Sequence, residues 1–256
     1  AKLLILDPMS SYIGDTCSMN NANETRAEFN HLIAVAKDTG CAIGQCRFSY
    51  VKGDGLVEEG DSAFCIYRGE SLMEQLYGLE EKATCFVVAW NKLYRAELFK
   101  ETGIRYPEGR IHEDEATTYR LFHEAKKLAF LDRVLYGYYT ENGGSITSVF
   151  SAKRLQWLTA HEERIAFFKK NGYEKLLPAA YRKLCDACIT FYFRCTEQVK
   201  DAEELKKELR KRLETYRADG AAWIAALPLK TRMGYELFSM SPGLYAKMLQ
   251  KMQEVS

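Results

Sequence analysis

The feature that most limits what this chain can become is a change of hydrophobic period near residue 151. Beyond it, residues 153–170, 174–198 and 201–217 place apolar side chains at helical spacing with almost no strand signal. Before it, short runs of apolar, β-branched and aromatic residues alternate with helix-period stretches. Alternating strands and helices bury their apolar faces as an α/β layer structure, here followed by a helical region. The reading therefore divides the chain at residues 1–150 and 151–256.

The individual elements follow from local pattern. "AKLLILD" reads as a buried strand whose final acid emerges at a sheet edge. Asn23 caps a helix with Phe29, Leu32, Ile33 and Ala36 on one face. "CAIGQCRFSYV" is strand-like, and "KGDG" turns towards the next strand. "CFVVAWNKLYRAELF" combines a buried apolar run with a further helix turn, and "GIRYPEG" interrupts it. A helix with Tyr119, Phe122 and Ala125 on one side follows, then the strand "KLAFLDRVLYGYY", broken by "TENGGS". Later, Asp201 with Glu204 makes a capping-box start and Gly220 a stop.

Composition narrows the function classes. Basic and acidic residues nearly cancel, 36 against 35, so no global charge steers the chain towards nucleic acid. The histidines at 31, 112, 123 and 161 are too far apart to form a local ligand pair. Eight cysteines without a secretory leader point to a reducing cytoplasm. Cys185 and Cys188 form a CxxC, which is compatible with zinc or redox chemistry. They also fall on the stripe Leu177, Tyr181, Leu184, Cys188, Phe191, Cys195, and the core reading is preferred.

Three acids, Glu113, Asp114 and Glu115, open a helix in "RIHEDEATTYR". Acids at a helix start gain about 0.3–1 kcal/mol each from the macrodipole, so in isolation they read as a solvated helix head. Their surroundings change that reading. "VAWNKLYRAELF", "YPEGRIHEDEATTYRLF" and "LDRVLYGYYTENGGSIT", in this order and spacing, resemble bacterial family 2 glycosyltransferases of capsule and exopolysaccharide assembly. The resemblance continues through "SPGLYAKML".

The resemblance implies a GT-A fold, a Rossmann-like mixed sheet with flanking helices, here partial, followed by C-terminal helices. It implies transfer of a sugar from a nucleotide-sugar donor to a glycan or lipid-linked acceptor in the cytoplasm, at the inner face of the membrane. Asp114 takes the position of the catalytic base of inverting members, because a sugar hydroxyl is a poor nucleophile until a carboxylate removes its proton. Glu113 would orient that base or bind acceptor. Trp90, Asn91 and Lys92 would line the acceptor side, with His112 also on the substrate, and Ser145 would contact donor phosphate. Against these roles stand packing for Trp90, a surface ion pair for Lys92 and a simple turn for Ser145.

The resemblance also implies a divalent metal, Mg²⁺ or Mn²⁺, held by an Asp-x-Asp motif to neutralise the leaving diphosphate. Here Asp7 takes the first position and Pro8, Met9 and Ser10 follow it. A thioether is a poor partner for a hard cation, and a strand-end role for Asp7 stands beside metal binding. The strands that normally precede this motif have no counterpart in the sequence. A second reading is therefore a non-catalytic relative that pairs with another subunit or copy through its sheet edge. A third is a membrane-surface adaptor using the segment "LPLKTRMGYELFSMSPGLYAKMLQKM", whose Lys and Arg alternate with Leu, Phe, Tyr and Met.

Overall fold

The computed structural model describes residues 3–5, 30, 32–51, 63–78, 80–139 and 150–253. The chain divides into two compact units, Ala1–Ser148 and Val149–Ser256. Asn23, Phe29, the "KGDG" turn and the "TENGGS" break lie outside the described residues.

In the first unit, strands β1 (Leu3–Ile5), β2 (Ile43–Val51), β3 (Phe64–Arg68), β4 (Lys92–Arg95) and β5 (Lys127–Tyr139) form one sheet in the order β1-β4-β2-β5-β3. The sheet is mixed: β2 and β5 run parallel, and the other neighbours pair antiparallel. Helix α1 (residues 32–38) packs on one face, where Leu32 meets Cys46, Leu93 and Leu131 in a closed apolar cluster. Gly44 permits that approach, since a Cβ there would lie 3.2 Å from Leu32 and 3.3 Å from Ala36.

Register fixes what faces the other way. Gln45 pairs with Lys92, and Ile43 with Tyr94, so strand alternation sends Lys92 and Tyr94 to the face opposite α1. Helices α2 (Gly69–Glu74), α3 (Glu80–Val87), α4 (Ala96–Thr102) and α5 (Glu113–Ala125) complete the unit. Phe86 of α3 stacks on Phe130 of β5 at 5.3 Å and meets Phe122 of α5 edge-on. An α/β layer structure is thus observed, with apolar packing on both faces of the sheet.

One element differs from the sequence reading. The run "CFV", read as a buried segment, is the buried end of α3, whereas "KLYR", read with the helix turn that follows, is strand β4. Four residues are too few to show a period of two, and the helix α4 that follows them directly supplies the helical pattern.

The second unit is largely helical: α6 (Leu155–Asn171), α7 (Leu177–Gln198), α8 (Glu203–Asp219), α9 (Ala221–Ile224), α10 (Leu229–Met240) and α11 (Pro242–Gln253). The central α7 packs against α6, α8 and α9. Its stripe Leu177, Tyr181, Leu184, Cys188, Phe191 and Cys195 is buried throughout. Burial pushes the Cys185 thiol up to about 12 and the Cys188 thiol well above its ordinary value, which makes both poor thiolate ligands or nucleophiles. The proposed cap at Asp201 is corrected: α8 starts from Ala202, and Asp201 takes a positive φ of 54° just outside the helix. Gly220 does end α8, and the chain turns there directly into α9. Among the described residues no helix is long and apolar enough to cross a membrane.

Candidate functional site

The site forms where the end of α3, the start of β4 and the head of α5 converge. The last carbonyls of a helix have no partner within it and must find donors elsewhere. At the end of α3 these donors come from three directions. The Thr118 hydroxyl, on α5, donates to the Val87 carbonyl at 2.7 Å. Asn91 Nδ2 donates to the Cys85 carbonyl and to the Cys46 carbonyl of β2, both at 2.9 Å. Lys92 Nζ donates to the carbonyls of Cys85, at 3.0 Å, and Val88, and to Asn91 Oδ1 at 2.8 Å.

Lys92 is the least expected member of this group, because it has no exposed surface at all. Burying an ammonium is expensive unless it is fully hydrogen-bonded. Three acceptor oxygens around Nζ match its three hydrogens, and the negative end of α3 adds a favourable field. Burial still lowers its pKa to about 7, while the charges of Cys85, Asp114 and Cys46 act to raise it. Lys92 is therefore no surface ion pair. Asn91 is equally buried, so both side chains hold the backbone turn between α3 and β4 from within.

Asp114 sits in the first turn of α5 and is half-buried. Its Oδ1 accepts a hydrogen bond of 2.7 Å from the Glu115 amide. Burial, then the charges of Glu115 and Glu113, push its carboxyl up to about 7, against the lowering effects of the Glu115 amide and the Lys92 charge. This is no solvated helix head, for which the N-terminal dipole alone would hold the carboxylate ionised. Glu113 is exposed beside it, and Glu115 is buried. His112 caps α5 in the left-handed region at φ 60°, ψ 40°, a conformation that a residue with a Cβ seldom adopts.

Two tyrosines that sequence reasoning passed over complete the surroundings. Tyr94 and Tyr106 approach to 3.3 Å between hydroxyls, and burial pushes both phenols well above their ordinary value. The Asp114 charge acts on both in the same direction. They therefore stay neutral beside the carboxylate. A signal was available: Tyr94 lies two residues beyond Lys92 and so on the same strand face, and Tyr106 stands in the loop leading to the acids.

Trp90, half-buried, joins an aromatic group rather than standing alone. Its ring stacks on Tyr136 at 4.4 Å and on Tyr138 at 5.5 Å, with Phe48 edge-on at 4.6 Å. Asp7, the altered motif after it, and Ser145 lie outside the described residues. Among the described residues no group of three or more His, Cys, Asp or Glu side chains is placed to hold a metal ion.

A half-buried carboxylate near neutrality, a buried cation acting on it and neutral phenols nearby make a proton acceptor for a weakly acidic hydroxyl. No protein-family model matches the chain. A stretch of 146 residues, 56% of this chain, is 30% identical to a protein named Glycosyltransferase GlyA from Streptococcus pneumoniae serotype 4. The chain spans 20% of the length of that relative. The chain thus bears a distant, partial similarity to a glycosyltransferase.

Proposed function

We propose that the sheet-bearing unit carries the acceptor-activating part of an inverting, family 2-type glycosyltransferase, with Asp114 as general base. The observation that carries this reading is the placement of Asp114 in the first turn of α5, its Oδ1 on the Glu115 amide at 2.7 Å and its carboxyl pushed up to about 7 by burial and the neighbouring acids. A base of that strength is partly ionised at neutral pH and still avid for a proton, which is the compromise that proton abstraction requires.

In the proposed reaction the acceptor hydroxyl oxygen attacks the anomeric carbon of a nucleotide sugar. As that bond forms, Asp114 takes the hydroxyl proton, and the carbon–oxygen bond to the nucleoside diphosphate breaks. Lys92 helps keep part of the Asp114 population ionised, because its charge lowers the carboxyl pKa. Glu113, exposed beside the base, binds acceptor hydroxyls, and His112 shapes the entry to the same turn. Trp90, with Tyr136 and Tyr138, supplies an aromatic surface for the sugar, since aromatic rings pack well on the apolar faces of pyranose rings. The acceptor is a glycan or lipid-linked saccharide at the cytoplasmic side of the membrane.

Donor diphosphate and any Mg²⁺ or Mn²⁺ fall to segments outside the described residues, Asp7 and Ser145 among them, or to a second chain. The test is sugar transfer from a panel of labelled nucleotide sugars to a saccharide-lipid extract. The proposal expects label in the lipid fraction with the chain as given and none with Asp114→Asn, both proteins giving the same circular dichroism spectrum. Equal labelling by the variant would remove Asp114 as the base.

A further inference from the structure

The last two helices leave an apolar surface uncovered. Of the large hydrophobic side chains that are exposed, Leu229, Met233, Met240, Leu244, Leu249 and Met252 all belong to α10 and α11. On α10, Leu229, Met233 and Met240 follow helical spacing along one side. Tyr235 and Phe238 line the opposite side and are buried, with Phe238 against Tyr192, Phe193 and Tyr245. This helix is thus apolar on both sides and covered on one. Packing within the unit accounts for Tyr235 and Phe238, and it does not account for the outer row.

Charge indicates what covers that row. Between Leu229 and Gln253 the basic residues are Lys230, Arg232, Lys247 and Lys251, and the sole acid is Glu236. Arg217 of α8 pairs with Glu236 and cancels it. Next to this surface, Lys206, Lys207, Arg210 and Lys211 of α8 line a groove of about 290 Å³ with Tyr192 and two acids, Glu203, which pairs with Lys206, and Glu214, which pairs with Arg217, so the groove keeps a net positive charge. Among the described residues Lys207, Arg210 and Lys211 have no ion-pair partner. Arg210 Nη2 donates to the Ser239 carbonyl at 2.9 Å, which places the groove beside Met240, 81% exposed.

We propose that α10 and α11, together with the cationic groove of α8, dock on an anionic lipid surface. The two helices each have 12 residues, about 18 Å of length, too short to span a bilayer and suited to lying in its interface. Met and Leu side chains enter the acyl boundary, lysine stems extend back to the phosphates, and the groove accepts a headgroup phosphate. A protein partner would be expected to meet such a surface with acidic side chains, whereas a phosphodiester membrane supplies negative charge with hydrocarbon directly beneath it.

The experiment is flotation of the full chain with phosphatidylcholine vesicles, with and without phosphatidylglycerol. Flotation with the anionic vesicles alone, weakened by added salt, is the expected result. Met233→Ser/Met240→Ser/Leu244→Ser abolishes it, and Lys207→Ala/Lys211→Ala weakens partitioning by roughly fivefold per lysine removed. All of these side chains are exposed, so thermal midpoints stay unchanged. Equal binding to neutral vesicles, no binding to either, or undiminished binding by the triple variant overturns the proposal. So does self-association that the triple variant loses without any flotation by the parent, because the surface then belongs to a second copy of this chain.

Discussion

The Thr118 hydroxyl, on the helix that carries Asp114, donates its hydrogen bond to the Val87 carbonyl at the end of α3. One side chain thereby satisfies a stranded helix carbonyl and fixes the head of α5 against the sheet-covering layer. Thr118→Val keeps the shape and removes the donor. It is expected to lower unfolding free energy by about 1–2 kcal/mol, the cost of leaving a buried carbonyl unpaired. Urea denaturation of the two proteins measures the difference.

Lys92 does more than fill space. Its ammonium serves the Cys85 and Val88 carbonyls and Asn91 Oδ1, so Lys92→Met takes this donor from the Val88 carbonyl and Asn91 Oδ1 and leaves the Cys85 carbonyl with Asn91 Nδ2 alone. A loss of about 2–4 kcal/mol is expected, large enough to see as a clear fall in the denaturation midpoint. The same change removes a charge that lowers the Asp114 pKa. A further rise of that pKa in the variant, read by titration, separates the electrostatic role from simple packing.

Up to about pH 7, the Asp114 carboxyl makes stability and activity respond to pH in opposite senses. The Asp114 carboxyl is raised from 3.8 to about 7, so across that window the folded state keeps a proton that the unfolded state has released. Stability therefore falls as pH rises between about 4 and about 7, and Asp114→Asn flattens that slope. Lys92, lowered from 10.5 to about 7, contributes a rise in stability over the higher window, because there the unfolded state holds the extra proton. Transfer requires the ionised carboxylate, so kcat/KM climbs with pH through about 7. Denaturation curves and rates measured across the same buffers check both signs.

Gly220 marks a close approach in the helical unit. A Cβ there would lie 2.4 Å from the Tyr181 ring, well inside contact distance. Tyr181 is buried in the α7 stripe, and its hydroxyl is held by Lys169 Nζ at 2.9 Å. Gly220→Ala is expected to cost about 1–3 kcal/mol through overpacking, against the small gain that alanine usually brings to a helix end. Thermal unfolding followed by circular dichroism shows which effect prevails.

The sequence made the layers legible because hydrophobic period reports burial directly. The long helices α6, α7 and α8 and the strands β2 and β5 all show it, each with many residues facing the core. Strand β4 escaped notice because it is short and begins with a lysine. A lysine reads as surface, and only the converging carbonyls of α3 make its burial affordable. The cap of α8 was misplaced for a related reason: Asp201 has the right chemistry, but the turn before the helix puts it in the left-handed region and leaves Ala202 at the cap.

The site was legible in part. The acids at the head of α5 and the "WNK" turn stood out as motifs, whereas the charge state of Asp114 depends on groups brought from elsewhere in the fold. Lys92, whose charge lowers the Asp114 pKa, comes from β4. No local pattern encodes that convergence.

The most direct test of the account is a carbon-13 NMR titration of the Asp114 carboxyl in the folded protein, assigned by comparison with Asp114→Asn. A midpoint near 7 is the result expected of a half-buried base held between acids and a buried lysine. A midpoint near the ordinary 3.8 would mean that the carboxylate is freely solvated, and the proposed base would lose its physical foundation.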